Sequence, residues 1–280
     1  MKFLIGSLFL ILLTGVANAQ YYYKDIVATR QNIAQWQAYK SARVKSVRLN
    51  SFEGDGQPTD GFQIDQTVNS DFSGMTTHSK TNGATETWTF ATYSPQGLLT
   101  SITDTSDTYQ SVSSYQYDDH GRLLSITNTS TETDNHVKAV ETHLWQYASA
   151  NDQPTGMLKI MNGTDTTYIR FVPDDKGNIG EEHATRNQVN LPTIYYYYDD
   201  ANRLTDIVRY NLKARRLLPD NILEYGADGR VTSLIAVQEG AGSYQKWMYD
   251  YNDKGLKTKE SCFTKQREMV GHVEYQYTYK

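Results

Sequence analysis

Covalent cross-linking is the first thing this chain lacks. Its single cysteine, Cys262, cannot close a disulfide within the chain, so order must come from backbone pairing and packing. The thiol reads as buried and inert, because a reactive cysteine needs an electropositive, accessible setting that Lys259, Lys265 and Arg267 do not make by sequence proximity alone. Basic charge is not concentrated anywhere either: the formal net charge is −5, the sequence pI is about 5.7, and charges of both signs are scattered. A polyanion partner asks for a basic stripe, so nucleic acid is not an expected ligand. Motifs for chemistry are missing as well. No strand-turn-helix serine elbow, helical His-Glu-x-x-His or phosphate-cradling glycine loop occurs, and the six histidines lack the close pairing of zinc ligands. No catalytic residue, metal or cofactor is expected.

Long apolar runs are absent beyond Phe3 to Val16. That run follows Lys2, is too short to span a bilayer comfortably, and leads into Ala17-Asn18-Ala19, small residues of the kind a signal peptidase reads. Cleavage after Ala19 is expected, leaving a chain that begins at Gln20, is not membrane-spanning, and resides in the periplasm or outside the cell.

What the chain has in quantity is tyrosine, 22 residues of it, against only 6 prolines. Aromatic and β-branched side chains favour pleated, half-buried surfaces. The tyrosines are patterned. Tyr115-Gln-Tyr117-Asp-Asp-His-Gly121-Arg-Leu returns as Tyr196-Tyr-Tyr198-Asp-Asp-Ala-Asn202-Arg-Leu, then more worn as Leu223-Glu-Tyr225-Gly-Ala-Asp-Gly229-Arg-Val and Tyr249-Asp-Tyr251-Asn-Asp-Lys-Gly255-Leu. Self-similarity at this spacing marks a repeat architecture whose units bury their apolar faces against neighbours.

Each phrase reads as a β-hairpin. Tyr115 and Tyr117 are two apart and share a strand face; after the turn, strict alternation puts Leu123 with Ser125 and Leu124 with Ile126. Asp118 opens a type I turn with its carboxylate, and Gly121 closes it where φ becomes positive. Asn202 stands where other copies have Gly121, Gly229 and Gly255, and Asn is the non-glycine residue that best tolerates that conformation. Weaker copies run from Trp88, Tyr93, Trp145 and Phe171, and Val273 to Tyr279 reads as half a unit without its return strand. Gly240-Ala-Gly242 reads as a hairpin tip, and Asp174 to Asn178 as an acidic turn rather than a calcium loop.

The phrase Tyr-x-Tyr-Asp-x-x-Gly-Arg-Leu, complete at Tyr115 to Leu123, resembles the YD repeats of the bacterial Rhs and YD-repeat families, over about residues 88 to 279. The resemblance implies hairpins wound into a curling antiparallel sheet, which in large members closes as a shell around a toxin segment. This chain is far shorter and reads as a small stand-alone member without a toxin domain.

The expected fold is all-β: an extended, curled antiparallel sheet of successive hairpin repeats with one short N-terminal helix. Its organisation is a signal peptide at 1–19, a cap of helix and first strand at 20–50, degenerate first repeats at 51–87 and hairpin repeats at 88–280. The helix is placed at about 26–43, capped by Asp25 and covering an exposed sheet edge. The function expected is non-catalytic: a surface for protein or glycan contact in the bacterial cell envelope. Trp145, Trp247, Tyr115 and Tyr117 are the candidate ligand-stacking rings, although cross-strand pairing alone accounts for them. The rivals are an enzyme with a convergent carboxylate pair and an outer-membrane β-barrel, the latter opposed by a mean hydropathy of −0.63 and by polar residues on both strand faces. The turn reading carries a test: Gly121→Val is expected to cost about 1–3 kcal/mol in urea melts through backbone strain, and Asn202→Gly to be neutral or mildly stabilising.

Overall fold

The repeated phrase folds around one side chain at each turn. In the computed structural model, which describes residues 20–134, 136–148, 153–238 and 243–280, Tyr109–Tyr117 and Leu123–Glu132 pair antiparallel about Asp118. The Asp118 carboxylate accepts the backbone N–H groups of His120 and Arg122, each at 2.9 Å, and the Gly121 N–H returns to the Asp118 carbonyl at 2.9 Å. Gly121 thereby takes φ 76°, and a Cβ there would meet nothing within 4 Å, so only the backbone conformation opposes a side chain. Asp174, Asp199 and Asn252 each accept the equivalent two N–H groups. Asn202, Gly229 and Gly255 have φ of 58°, 81° and 73°.

A bulge accompanies the turn. Opposite Tyr117 the ladder steps from Leu123 to Ser125, and the same slip recurs at Tyr93, Tyr147, Tyr198, Tyr225 and Tyr251. It corrects the faces expected from strict alternation. Leu123 pairs with Tyr117 and Ile126 with Tyr115, so both pack inward, while Leu124 is the extra residue and is exposed.

The remaining letters of the phrase join one hairpin to the next. Arg122 pairs with Asp118 at 2.6 Å and lies over the Tyr147 ring at 4.8 Å; the Tyr147 hydroxyl donates to the Leu123 carbonyl at 2.9 Å. Arg203 and Tyr225 repeat the stacking at 4.8 Å, with the Tyr225 hydroxyl on the Leu204 carbonyl at 2.7 Å. Tyr198, Tyr251 and Tyr277 likewise donate to Ile179, Val231 and Lys257. Asp thus holds its own turn, Arg reaches the neighbour, and that neighbour's tyrosine bonds back.

Among the described residues, nineteen strands make one antiparallel sheet. Val189–Asn190 and Ile194–Tyr198 both pair with Ile179–Arg186 and form one interrupted stave, so the count of staves is 18. Val44–Glu53 pairs with Gln63–Val68 on one side and Met269–Tyr279 on the other. The sheet is therefore a closed barrel, not the extended curl expected from the sequence. The half-unit at Val273 to Tyr279 has its return strand after all, in Val44–Glu53: the hydroxyls of Ser46 and Thr278, 232 residues apart, meet at 2.6 Å.

Closure also relocates the helix. It begins earlier than expected, π-helical over Tyr22–Val27 and α-helical over Ala28–Ser41, so Asp25 lies inside it and is buried rather than capping it. With the first and last strands paired to each other, the helix covers no edge; it runs for about 30 Å through the lumen. Tyr22 meets Phe171 and Tyr196 edge-on, Trp36 stacks on Tyr93 at 4.0 Å, and Tyr39 meets Tyr277, partners drawn from different sides of the barrel. Two apolar clusters result, one around each half of the helix, both touching Tyr115. The expected signal peptide and the Gly240 to Gly242 tip lie outside the described residues.

Trp36 is 2% exposed in the lumen and Trp88 is 42% exposed on the outer wall. Trp36→Ala is expected to lower unfolding free energy by about 3–5 kcal/mol and Trp88→Ala by less than about 0.5 kcal/mol, read from urea midpoints at constant m-value.

Candidate functional site

A group of charged side chains gathers on the inner wall where the helix starts. Glu182 is fully buried and accepts the backbone N–H groups of Gln20, Tyr21 and Tyr22 at 2.7, 3.1 and 3.1 Å, with the Tyr196 hydroxyl at 2.7 Å. Burial raises its carboxyl, against the pull of these four donors. One turn along, Asp25 meets His143 Nδ1 at 2.6 Å, Glu141 approaches Nε2 at 2.9 Å, and Lys159 meets Glu141 at 2.7 Å. Burial by itself would lower the imidazole, but Asp25 and Glu141 overcome it and hold it up at about 9. Burial would likewise raise Glu141, which His143 and Lys159 hold down to about 2. Two carboxylates do converge here, yet a cation sits between them and the helix covers them, so the arrangement seats the helix. Near the other half of the helix the lumen keeps a chamber of about 140 Å³ beside Trp36, Gln66, Asp104 and Tyr115.

The outer wall has one notch built by an interruption. The ladder is interrupted between Val189–Asn190 and Ile194–Tyr198: the Leu191 N–H still reaches the Ala184 carbonyl at 2.8 Å, but Pro192 has no N–H to offer. The gap opens a cavity of about 330 Å³ lined by Tyr168, Arg170, His183, Thr185, Asn190 and Thr193. Tyr168 is 61% exposed and Arg170 stands directly opposite His183 in the ladder. His183 is held from both sides, by Glu181 at 2.6 Å and by the Thr193 hydroxyl at 3.3 Å. Thr185 donates to the Asn190 side-chain carbonyl at 2.9 Å across the rim. An open ring face, a guanidinium and fixed polar groups therefore share one concavity.

The rings singled out in the sequence lie elsewhere. Trp145 and Trp247 are buried inside the barrel, Trp145 stacked on Phe171 at 5.5 Å, and Tyr115 and Tyr117 pack against the same core. At 5% and 7% exposure, neither tryptophan presents an open face to an outside ligand. Cys262 faces inward opposite Trp247, and burial pushes its thiol up to about 12. None of the notch residues was selected from the sequence, because Tyr168, Arg170 and His183 read individually as ordinary strand residues. The available signal was Pro192 inside a run otherwise patterned as strand.

The Asp118 turn and its flanking strands fall within residues 93–133, which match the family model described as RHS Repeat. These residues are an RHS repeat. Within the RHS repeat, Tyr93 supplies the bulged tyrosine, Asp118 and Gly121 the turn, and Arg122 the reach to the following hairpin. Solved structures of similar trace include a porin-like protein from Bacteroides uniformis ATCC 8492, 11% identical at TM-score 0.42, covering 85% of this chain and 97% of that one. A porin-like protein from Bacteroides vulgatus ATCC 8482 is 11% identical at TM-score 0.29, covering 84% and 98%. The Photorhabdus luminescens Tc holotoxin pore is 11% identical at TM-score 0.30, covering 78% of this chain and 16% of that chain. No curated protein matches.

The His143 network makes stability pH-dependent with a definite sign. An imidazole held at about 9 in the fold and near 6.5 unfolded contributes fully below about pH 6.5, and that contribution is lost as pH rises through 9. Urea midpoints of the parent are expected to fall between about pH 6.5 and 9.5, by a total on the order of 3 kcal/mol. His143→Gln should flatten that limb.

Proposed function

We propose that this protein is an exported, non-catalytic β-repeat barrel that works through its outer wall, binding acidic glycans at the Tyr168–Arg170–His183 notch. The notch carries the reading. An exposed aromatic face stacks on a sugar ring, Arg170 pairs with a carboxylate in a planar, two-point manner, and His183, Thr193 and Asn190 are placed to order hydroxyl groups. Its volume, about 330 Å³, suits one or two sugar units at the small end of ligand sites. The occupied lumen supports the same reading, since the helix stands where a channel or a buried substrate would have to be.

The outer-membrane alternative shares the barrel but differs in what the outside must look like. A lipid-facing wall needs an apolar band, and a basic residue at mid-membrane costs about 2–4 kcal/mol. Here Arg48 pairs with Asp65 and Lys246 with Glu224 on the outer face, Lys259 stands opposite Glu274, and Arg170 opens the notch. These outward charges favour a wall in water.

Purified protein on a glycan array is expected to retain uronic-acid-bearing oligosaccharides over their neutral counterparts. Tyr168→Ala and Arg170→Gln should each weaken retention by about tenfold or more while moving the urea midpoint by less than about 0.5 kcal/mol. Retention of neutral and acidic glycans alike, retention unchanged by both substitutions, or none at all would remove the reading, as would recovery of the protein only in detergent-solubilised outer membrane.

A further inference from the structure

The helix start is held in a way that an internal peptide group explains poorly. Gln20 is 8% exposed and has φ 106°, a conformation that costs an ordinary side chain strain. Its backbone nitrogen is 2.7 Å from Glu182, and its side-chain amide donates to Asp220 at 2.9 Å, which Arg209 also holds at 2.6 Å. The residue is therefore fixed at both ends inside the barrel wall. Glu182 has no exposed surface; its four hydrogen-bond donors are three N–H groups and one hydroxyl, and the Lys24 ammonium acts on it through charge. A carboxylate buried so completely carries a desolvation penalty of several kcal/mol that neutral donors offset only in part. Independently, Ala17-Asn18-Ala19 places the expected export cleavage immediately before this same nitrogen.

We propose that Glu182 is the receptor for a processed N-terminus, pairing in the barrel wall with the α-ammonium of Gln20. A signal-peptidase-class hydrolase cleaves the Ala19–Gln20 amide bond: water supplies hydroxyl to the Ala19 carbonyl carbon and a proton to the Gln20 nitrogen. The released amine takes one further proton from solvent at neutral pH. A formal positive charge then stands 2.7 Å from the Glu182 oxygen, at the end of the helix whose N–H groups already favour an anion. In the precursor the same nitrogen is an uncharged amide. Cleavage therefore couples export to stability: the barrel that closes around the processed helix is the more stable one. This inference goes beyond the glycan reading and does not depend on the notch; it depends on where the chain is cut.

The test compares chains beginning at Gln20, the same chain Nα-acetylated, and a chain extended by Ala19, each in the parent and in Glu182→Gln. In the parent, the free Gln20 amine is expected to raise the folded-to-unfolded ratio by about a hundredfold over the acetylated form, as when a buried charge gains its partner. The Ala19-extended form should behave like the acetylated one. In Glu182→Gln the advantage should shrink to within about threefold, because the neutral amide removes the partner but keeps the shape. Should Glu182→Gln fail to fold, the parent alone decides by the rate at which an amine-reactive acylating reagent labels Gln20. Labelling is expected to be at least about tenfold slower in native protein than in urea, after correction by a Gln20-start peptide. Equal stability of the free and acetylated forms, native labelling at the unfolded rate, or exported protein whose N-terminus is not Gln20 would each overturn the proposal. An intact mass short of one ammonia would do so too, since it marks an amine that has closed on its own glutamine side chain.

Discussion

Closing a sheet of this many staves creates an interior that has to be filled, and the rest of the structure answers to that constraint. Barrels of sixteen to eighteen strands that stay round leave an aqueous channel. Here the inner face is lined by tyrosine, tryptophan and aliphatic side chains, and a helix of the same chain occupies the space. Without the helix that wall would present a large apolar surface to water; without the wall, the helix, with alanine, asparagine, glutamine and threonine through its length, has little apolar face to stabilise it alone. Each is a condition for the other.

The wall is self-propagating because one short phrase handles both the turn and the junction. Asp118 gathers the N–H groups of its own turn, which fixes Arg122 above Tyr147, and the Tyr147 hydroxyl then ties the next hairpin to the Leu123 carbonyl. Each such bond ends on the carbonyl of a residue that borders a bulge, so the bulge and the tyrosine occur together. The bulge also increases strand twist, which gives successive hairpins the curvature that closure needs.

Polarity is distributed accordingly. Charges on the wall pair with one another across strands on the outside, as Arg48 does with Asp65, whereas inside one group surrounds the start of the helix, at Glu182, Asp220 and Asp25–His143–Glu141, and Asp104 and Glu260 lie beside its other half. The inner set orients the helix and fixes its depth, since an ion pair or a gathered N–H group has one good position while apolar contact has many. The outer set leaves the notch at Pro192 as the place where the ladder itself is interrupted and a ring and a cation are both open.

Local chemistry was legible in the sequence. The hairpins, the positive φ at Gly121, Asn202, Gly229 and Gly255, the paired tyrosines and the presence of one helix near the start all follow from short-range rules of turn geometry and period, which involve residues a few positions apart. Strict alternation failed by one residue at each bulge, as at Leu124, because nothing in the local pattern marks which residue is the extra one. Closure was not legible, since Val44–Glu53 and Met269–Tyr279 each read as ordinary strands and only their twist-determined meeting makes them partners. The helix's place in the lumen, the burial of Trp145 and Trp247, the convergence on His143 and the notch all depend on that meeting. They were decided by tertiary structure alone, because curvature summed over the whole sheet determines which distant residues share a wall, and no short stretch of sequence contains that sum.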